Sequence, residues 1–207
     1  MFNELLERYP QLDCCKDEIK KAAEAIIACY ENGGKVLLCG NGGSCADCDH
    51  IVGELMKGFL LKRPMSDGQK AKMRDNFERI DEDMLSKLQC GLPAISLPSI
   101  TALGSAFCND VDPDLVYAQS TFALGKKGDI LIGLSTSGNA KNVNAAAEVA
   151  RATGITVIGM TGQKGGKLYG NADICIRVPE NETFKIQELH LPVYHYLCAE
   201  VEDHFFG

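Results

Sequence analysis

At 207 residues, 45% of them apolar and 24% charged, the chain has the length and balance of one globular domain with a real core. A net charge of −7 and a pI near 5.1, with no basic stripe, argue against nucleic acid as the main partner. No apolar run nears the ~20 residues of a bilayer span, and the opening Met1-Phe2-Asn3-Glu4-Leu5-Leu6-Glu7-Arg8 lacks a secretory pattern. A cytoplasmic protein with no membrane partner is expected. Its ten cysteines are scattered, several in apolar company (Cys29, Cys39, Cys175, Cys198), which predicts reduced, buried thiols rather than a disulfide framework.

Residues 2–31 place Ile19, Ala22, Ala23, Ile26, Ile27 and Tyr30 at helical spacing, and Asn32-Gly33-Gly34 ends that helical segment. Lys35-Val36-Leu37-Leu38 reads as a buried strand feeding residues 39–54, around which the chain is organised. Gly40, Gly42 and Gly43 allow a sharp turn with bare backbone N–H groups, and Ser44 is expected to cap a helix from about Cys45 through Leu55. Strand, glycine turn and helix N-terminus together make an anion site. On the same helix His50 and Glu54, four residues apart, share a face. Neither a Walker lysine nor the dinucleotide spacing is present. Cys45-Ala46-Asp47-Cys48 has CxxC spacing, but without a second CxxC it is expected to pack rather than to do redox chemistry or bind zinc.

Residues 56–92 are charged and poor in apolar positions, predicting an exposed helical insertion over about 60–90, passive rather than a lid or contact surface. Pro93 to Leu97 is a second short strand, followed by helix from Thr101 into Phe107. Asn109-Asp110 opens a polar turn that lacks EF-hand spacing, so capping is expected there instead of Ca²⁺. Leu115 to Leu124 is helical, and Asp129 to Leu134 is a third strand. It runs into Ser135-Thr136-Ser137-Gly138-Asn139-Ala140 and an alanine-rich helix from Lys141 to Thr153, repeating the first motif's plan. Three hydroxyls where capping needs one favour a phosphate site. Ile155 to Met160 and Ala172 to Val178 supply two more strands, and residues 183–205 a last helix carrying Gln187, His190, His195 and His204. Strands alternating with helices predict a parallel sheet covered on both faces, with ligands at the strands' carboxyl ends.

Taken in order, Gly40-Asn41-Gly42-Gly43-Ser44, His50-x3-Glu54, Asn109-Asp110, Ser135-Thr136-Ser137-Gly138-Asn139 and Ile186-Gln187-Glu188-x-His190 resemble the sugar isomerase (SIS) domain family, most closely phosphoheptose isomerases. Outside about residues 60–90 the resemblance covers nearly the whole chain. It implies a single SIS domain over 1–207: an α/β, three-layer αβα sandwich around a five-stranded parallel sheet, flavodoxin- or Rossmann-like. It also implies a homotetramer with active sites at subunit interfaces. The reaction implied is aldose–ketose isomerisation of sedoheptulose 7-phosphate or a related sugar phosphate through an enediol.

By position, the resemblance gives Glu54 and His195 as the acid–base pair. Asn41, Gly42, Gly43, Ser44, Glu54, Asn109, Asp110, Ser135, Thr136, Ser137 and Gln187 become substrate contacts, and His50, Glu54, Gln187 and His195 a zinc site. A carboxylate and an imidazole suit proton transfer between C1 and C2, and zinc suits polarising the carbonyl. Gln187 and His195 lie eight residues apart, ~12 Å on an ideal helix, so Gln187 precedes the regular helix, Pro192 distorts it, or neighbouring subunits share the work. Ala140 stands where the family usually has a third phosphate-binding serine, Phe184-Lys185 departs from its usual approach to Ile-Gln-Glu, and Gly58 takes the place of its arginine after the Glu54 position. These bear on which sugar phosphate is used. The alternative is a non-catalytic SIS protein that binds a sugar phosphate or a replication-initiator partner. Such a relative lacks the counterparts of Glu54 and His195.

Overall fold

Five short apolar runs become strands in the computed structural model, which describes residues 1–207. They are β1 (Val36–Gly40), β2 (Ala94–Ser96), β3 (Ile130–Leu134), β4 (Thr156–Thr161) and β5 (Ile174–Arg177), all parallel, in the order β2-β1-β3-β4-β5. Every residue of β1 and β3 is buried, as a sheet covered on both faces demands. The chain leaves β1 toward β2 on one side and returns to β3 on the other. A crevice therefore opens at the carboxyl ends of β1 and β3, where connections diverge.

Ten helices wrap the sheet: α1 (Phe2–Arg8), α2 (Lys16–Glu31), α3 (Gly43–Met56), α4 (Asp67–Asn76), α5 (Glu82–Lys87), α6 (Thr101–Asp110), α7 (Val116–Leu124), α8 (Lys141–Ala152), α9 (Leu168–Asn171) and α10 (Thr183–Phe206). Because side chains alternate along a strand, Leu38 and Ile132 enter the larger core with Ile19 and Ile26 of α2, Leu55 of α3 and Leu197 of α10. Leu37 and Leu131 face the other way, onto Val143, Ala146 and Ala150 of α8 and Tyr117 of α7. At the amino ends of the strands the buried Asp129 carboxylate accepts the N–H groups of Lys35 (3.0 Å) and Lys126 (2.9 Å) and pairs with the Lys35 ammonium.

Three local expectations change. Ser44 caps nothing: Gly42 takes φ +57°, a conformation open to glycine, so α3 starts at Gly43 and Ser44 lies buried inside its first turn. Residues 56–92 are not uniformly exposed. α4 buries no residue and is held by a Ser66–Gln69 capping box, but Arg63 and Leu85 are fully buried. Asn109 and Asp110 are the last residues of α6 rather than a turn, and capping falls to Asp112, whose carboxylate accepts the Asp114 N–H at 2.7 Å. All ten cysteines are unpaired, with Cys29, Cys39, Cys175 and Cys198 buried. Burial pushes the Cys45 and Cys48 thiols up, so neither is a ready thiolate. No helix is long and apolar enough to cross a membrane.

Candidate active site

The two glycine- and hydroxyl-rich turns stand side by side because β1 and β3 pair directly. In the first, the N–H groups of Asn41 and Gly42 donate to no protein acceptor; in the second, neither do those of Thr136 and Ser137. Unspent donors beside the N-termini of α3 and α8 favour an anion. The second turn is locked by Gly138 at φ +67°, where a Cβ would collide with the Gly165 carbonyl. Ser135 is buried, its Oγ accepting the Ala140 N–H at 3.4 Å, whereas Ser137 is exposed and its Oγ accepts the Asn139 N–H at 3.1 Å. Thr136 is half-buried, with its carbonyl accepting the Gly162 N–H at 3.0 Å.

A bridge that no motif announces joins the turns. Asn41 Nδ2 donates to Asn142 Oδ1 (2.9 Å) and Asn142 Nδ2 donates back to Asn41 Oδ1 (3.0 Å). Tyr117 anchors the first turn, its hydroxyl donating to the Gly40 carbonyl at 2.8 Å and lying 3.3 Å from Asn41 Oδ1. Asn142 is one polar residue among several on an alanine-rich helix, so nothing in the sequence singles it out.

α10 lies against α3 and runs the same way: Gln187 faces Gly43, Tyr194 reaches Asp47, and His195 reaches His50. A Cβ on Gly43 would sit 2.5 Å from Gln187 Nε2, so only glycine lets the amide approach the turn this closely. Glu54 Oε1 lies 3.4 Å from His50 Nε2, and His195 Nε2 lies 3.5 Å from that same nitrogen. Lys57 Nζ lies 3.2 Å from Glu54 Oε2.

Second contacts orient His50. The Tyr194 hydroxyl donates to Asp47 Oδ1 (3.1 Å), so its oxygen is left to accept from His50 Nδ1–H at 3.0 Å. That assigns the proton to Nδ1 and aims the bare Nε2 at the gap between Glu54 and His195. Burial pushes the Asp47 carboxyl up, with the Tyr194 hydrogen bond and His50 opposing it. Burial also lowers the His195 pKa, aided by His50 and opposed by Glu54, so its imidazole is neutral at pH 7 and able to give or take a proton.

Not every predicted residue joins this cluster. Gln187 lies inside the regular helix, which continues through Pro192, and sits at the glycine turn, ~12 Å along α10 from His195. Two of the three explanations for its distance therefore fail within one chain. Asn109 Nδ2 donates to Asp110 Oδ1 (2.8 Å), and both side chains are exposed at the end of α6.

For zinc, donors at 2.0–2.1 Å from a tetrahedral ion lie roughly 3.3–3.4 Å apart, and the 3.4 Å and 3.5 Å separations around His50 Nε2 fit that spacing. The donor set fits pairwise. It is not gathered into a ready cage, since no group of three or more His, Cys, Asp or Glu side chains is arranged to hold an ion. A cleft of about 630 Å³ at the β5 edge, lined by Cys14, Cys15, Arg177 and Tyr169 among others, contains none of the predicted site residues.

Comparison with known proteins gives the family and the fold. Two sequence profiles, each described as SIS domain, match residues 2–90 and 102–197. A phosphoheptose isomerase of Burkholderia pseudomallei is 40% identical over 189 residues, spanning 91% of this chain and 83% of that protein. The solved phosphoheptose isomerase of Neisseria gonorrhoeae superposes with a TM-score of 0.76 at 30% identity, over 98% of this chain and 95% of its own. That of Francisella tularensis gives 0.78 at 31% identity, over 98% and 94%.

Proposed function

Since the chain belongs to the phosphoheptose isomerases of the SIS-domain family, we propose that it interconverts sedoheptulose 7-phosphate and D-glycero-D-manno-heptose 7-phosphate. The observation that carries the reading is the pairing of Glu54 and the neutral His195 about His50, on helices that also border the anion-binding turns. The Asn41–Ser44 and Ser135–Ser137 turns hold the sugar phosphate through their unspent N–H groups and hydroxyls. Gln187 contacts the sugar beside Gly43, and Asn109 and Asp110 close on it from α6. The Glu54 carboxylate takes the C1 proton of the ketose and returns it to C2. His195 moves the proton between the C1 and C2 oxygens, so the enediol forms and collapses without net change in charge.

A zinc ion held by His50, Glu54, His195 and Gln187 would supply a Lewis acid that polarises the sugar carbonyl. His50 would serve it best as the Nδ1–H tautomer described above, and Gln187 would be its weakest ligand.

Self-association as a homotetramer is supported by exposed apolar side chains, Phe122 (68%), Val111 (64%) and Leu60 (62%), and by an α6 that buries nothing. Ten unpaired thiols support a reducing compartment such as the cytoplasm.

The test is to incubate the purified protein with sedoheptulose 7-phosphate and follow aldose formation by NMR, with added zinc and with chelator. Turnover that falls by roughly 10² or more in Glu54→Gln and His195→Ala supports the assignment. Thermal stabilisation by the sugar phosphate without turnover would leave a binding protein and remove the enzymatic claim.

A further inference from the structure

Arg63, on the loop between α3 and α4, and Glu202, near the end of α10, form an ion pair with 1% and 0% exposure and an Nε–Oε1 distance of 2.7 Å. Each end of the pair grips something the site needs. Arg63 Nη1 donates to the Leu55 carbonyl (2.7 Å) and Nη2 to the Glu54 carbonyl (3.1 Å). These carbonyls belong to the last turn of α3, where intrahelical donors run out and a positive charge complements the helix dipole. Glu202 in turn accepts three successive N–H groups, from Phe59 (2.7 Å), Leu60 (2.6 Å) and Leu61 (2.9 Å). The Phe59 ring then lies 5.6 Å from the His195 ring, and the Phe206 ring packs 4.8 Å from the Arg63 guanidinium.

Glu54 and His195 are thus reached from one buried knot. Arg63 holds the backbone of Glu54 on α3. Glu202 sits two turns beyond His195 on the same face of α10 and sets the residue packed against its ring. A buried ion pair is a poor choice for stability alone, because apolar residues of similar volume usually do as well or better. What it provides is direction, through hydrogen bonds that fix one loop to two helices. On the reading of Glu54 and His195 as the acid–base pair, we propose that Arg63 and Glu202 are positioning residues that set the separation of those two groups.

The experiment compares Arg63→Lys and Glu202→Gln with Asp129→Asn, which disturbs another buried pair at the opposite end of the strands. kcat and KM for sedoheptulose 7-phosphate are measured at a temperature where circular dichroism shows each variant folded. NMR follows the nuclear Overhauser cross-peak between the Phe59 and His195 rings. The expected result is a kcat lower by about tenfold or more in Arg63→Lys and Glu202→Gln, with KM within about threefold and the cross-peak abolished. Asp129→Asn keeps both kcat and the cross-peak. Folded Arg63→Lys and Glu202→Gln with kcat within about twofold of the parent, or an equal fall in Asp129→Asn, would overturn the proposal. If the unaltered protein does not turn over the sugar phosphate, the isomerase reading fails, and the cross-peak alone decides: its survival in Glu202→Gln refutes the knot's role.

Discussion

Acidification from about pH 7.5 to 4.5 is expected to remove roughly 2–3 kcal/mol of folding stability through His190 alone. This imidazole is fully buried, with Nε2 3.4 Å from the Thr161 carbonyl and Nδ1 without any partner. The carbonyl can only accept, so Nε2 carries the proton and Nδ1 holds a bare lone pair in an apolar setting. Burial therefore pushes the pKa down from 6.5 to about 4, against a weaker opposing effect of the Thr161 hydrogen bond. Between those values the unfolded chain binds a proton that the folded chain refuses. The sign follows: this contribution is fully present above pH 6.5 and is lost as pH falls toward 4. At about 1.4 kcal/mol per pKa unit the limit is roughly 3 kcal/mol, most of it reached by pH 4.5. Urea unfolding of the parent and of His190→Leu, at fixed protein concentration across that range, isolates the effect from other titrating groups. The stability difference between the two should move by roughly 2–3 kcal/mol against the parent on acidification. A difference constant to within about 0.5 kcal/mol would refute the argument.

Other outcomes follow from the two turns and from the proposed metal. Gly138→Ala forces a side chain into a left-handed conformation against the Gly165 carbonyl, and should cost at least about 3 kcal/mol in thermal unfolding and abolish sugar-phosphate binding. Ala140 is the N-cap of α8 and offers no side-chain acceptor, so Ala140→Ser should raise stability by about 0.5–1 kcal/mol and lower KM; an unchanged melting temperature would contradict the capping argument. If His50 Nε2 faces zinc, Tyr194→Phe should weaken zinc affinity about 10- to 100-fold in a competition titration with a chromophoric chelator, since the hydrogen-bond partner that orients the ring is removed.

Much of the fold was legible because its signals are local. Val36–Gly40 and Ile130–Leu134 are apolar runs ending in glycine turns, and such runs behave alike wherever they occur in the chain. Helical spacing alone likewise puts His50 beside Glu54. Errors arose where one backbone angle decided the outcome. Ser44 has the right chemistry for a cap, but the positive φ of Gly42 moves the helix start one residue ahead of it. What could not be read are pairings between distant segments. Arg63 and Glu202 are 139 residues apart, and Arg63 stands in a charged stretch that looks solvated. The Asn41–Asn142 bridge spans 101 residues, and Tyr194 meets Asp47 across 147. No periodicity encodes such contacts. They follow from the strand order that brings β1 to β3 and from the course of α10 along α3.

The Asn41–Asn142 bridge also decides what kind of ligand atom the crevice can address. Asn41 Oδ1 accepts from Asn142 Nδ2, and Asn142 Oδ1 accepts from Asn41 Nδ2 and from the Val143 N–H. Both lone pairs of Asn142 Oδ1 and one of Asn41 Oδ1 are therefore spent inside the protein, and one N–H of each amide is left over. With the unspent N–H groups of Asn41, Gly42, Thr136 and Ser137, the rim offers many donors and few free acceptors. It is polarised without carrying a formal charge. Such a rim ranks ligands by acceptor density, so it welcomes phosphate and hydroxyl oxygens and disfavours ammonium groups, even though the protein as a whole is acidic.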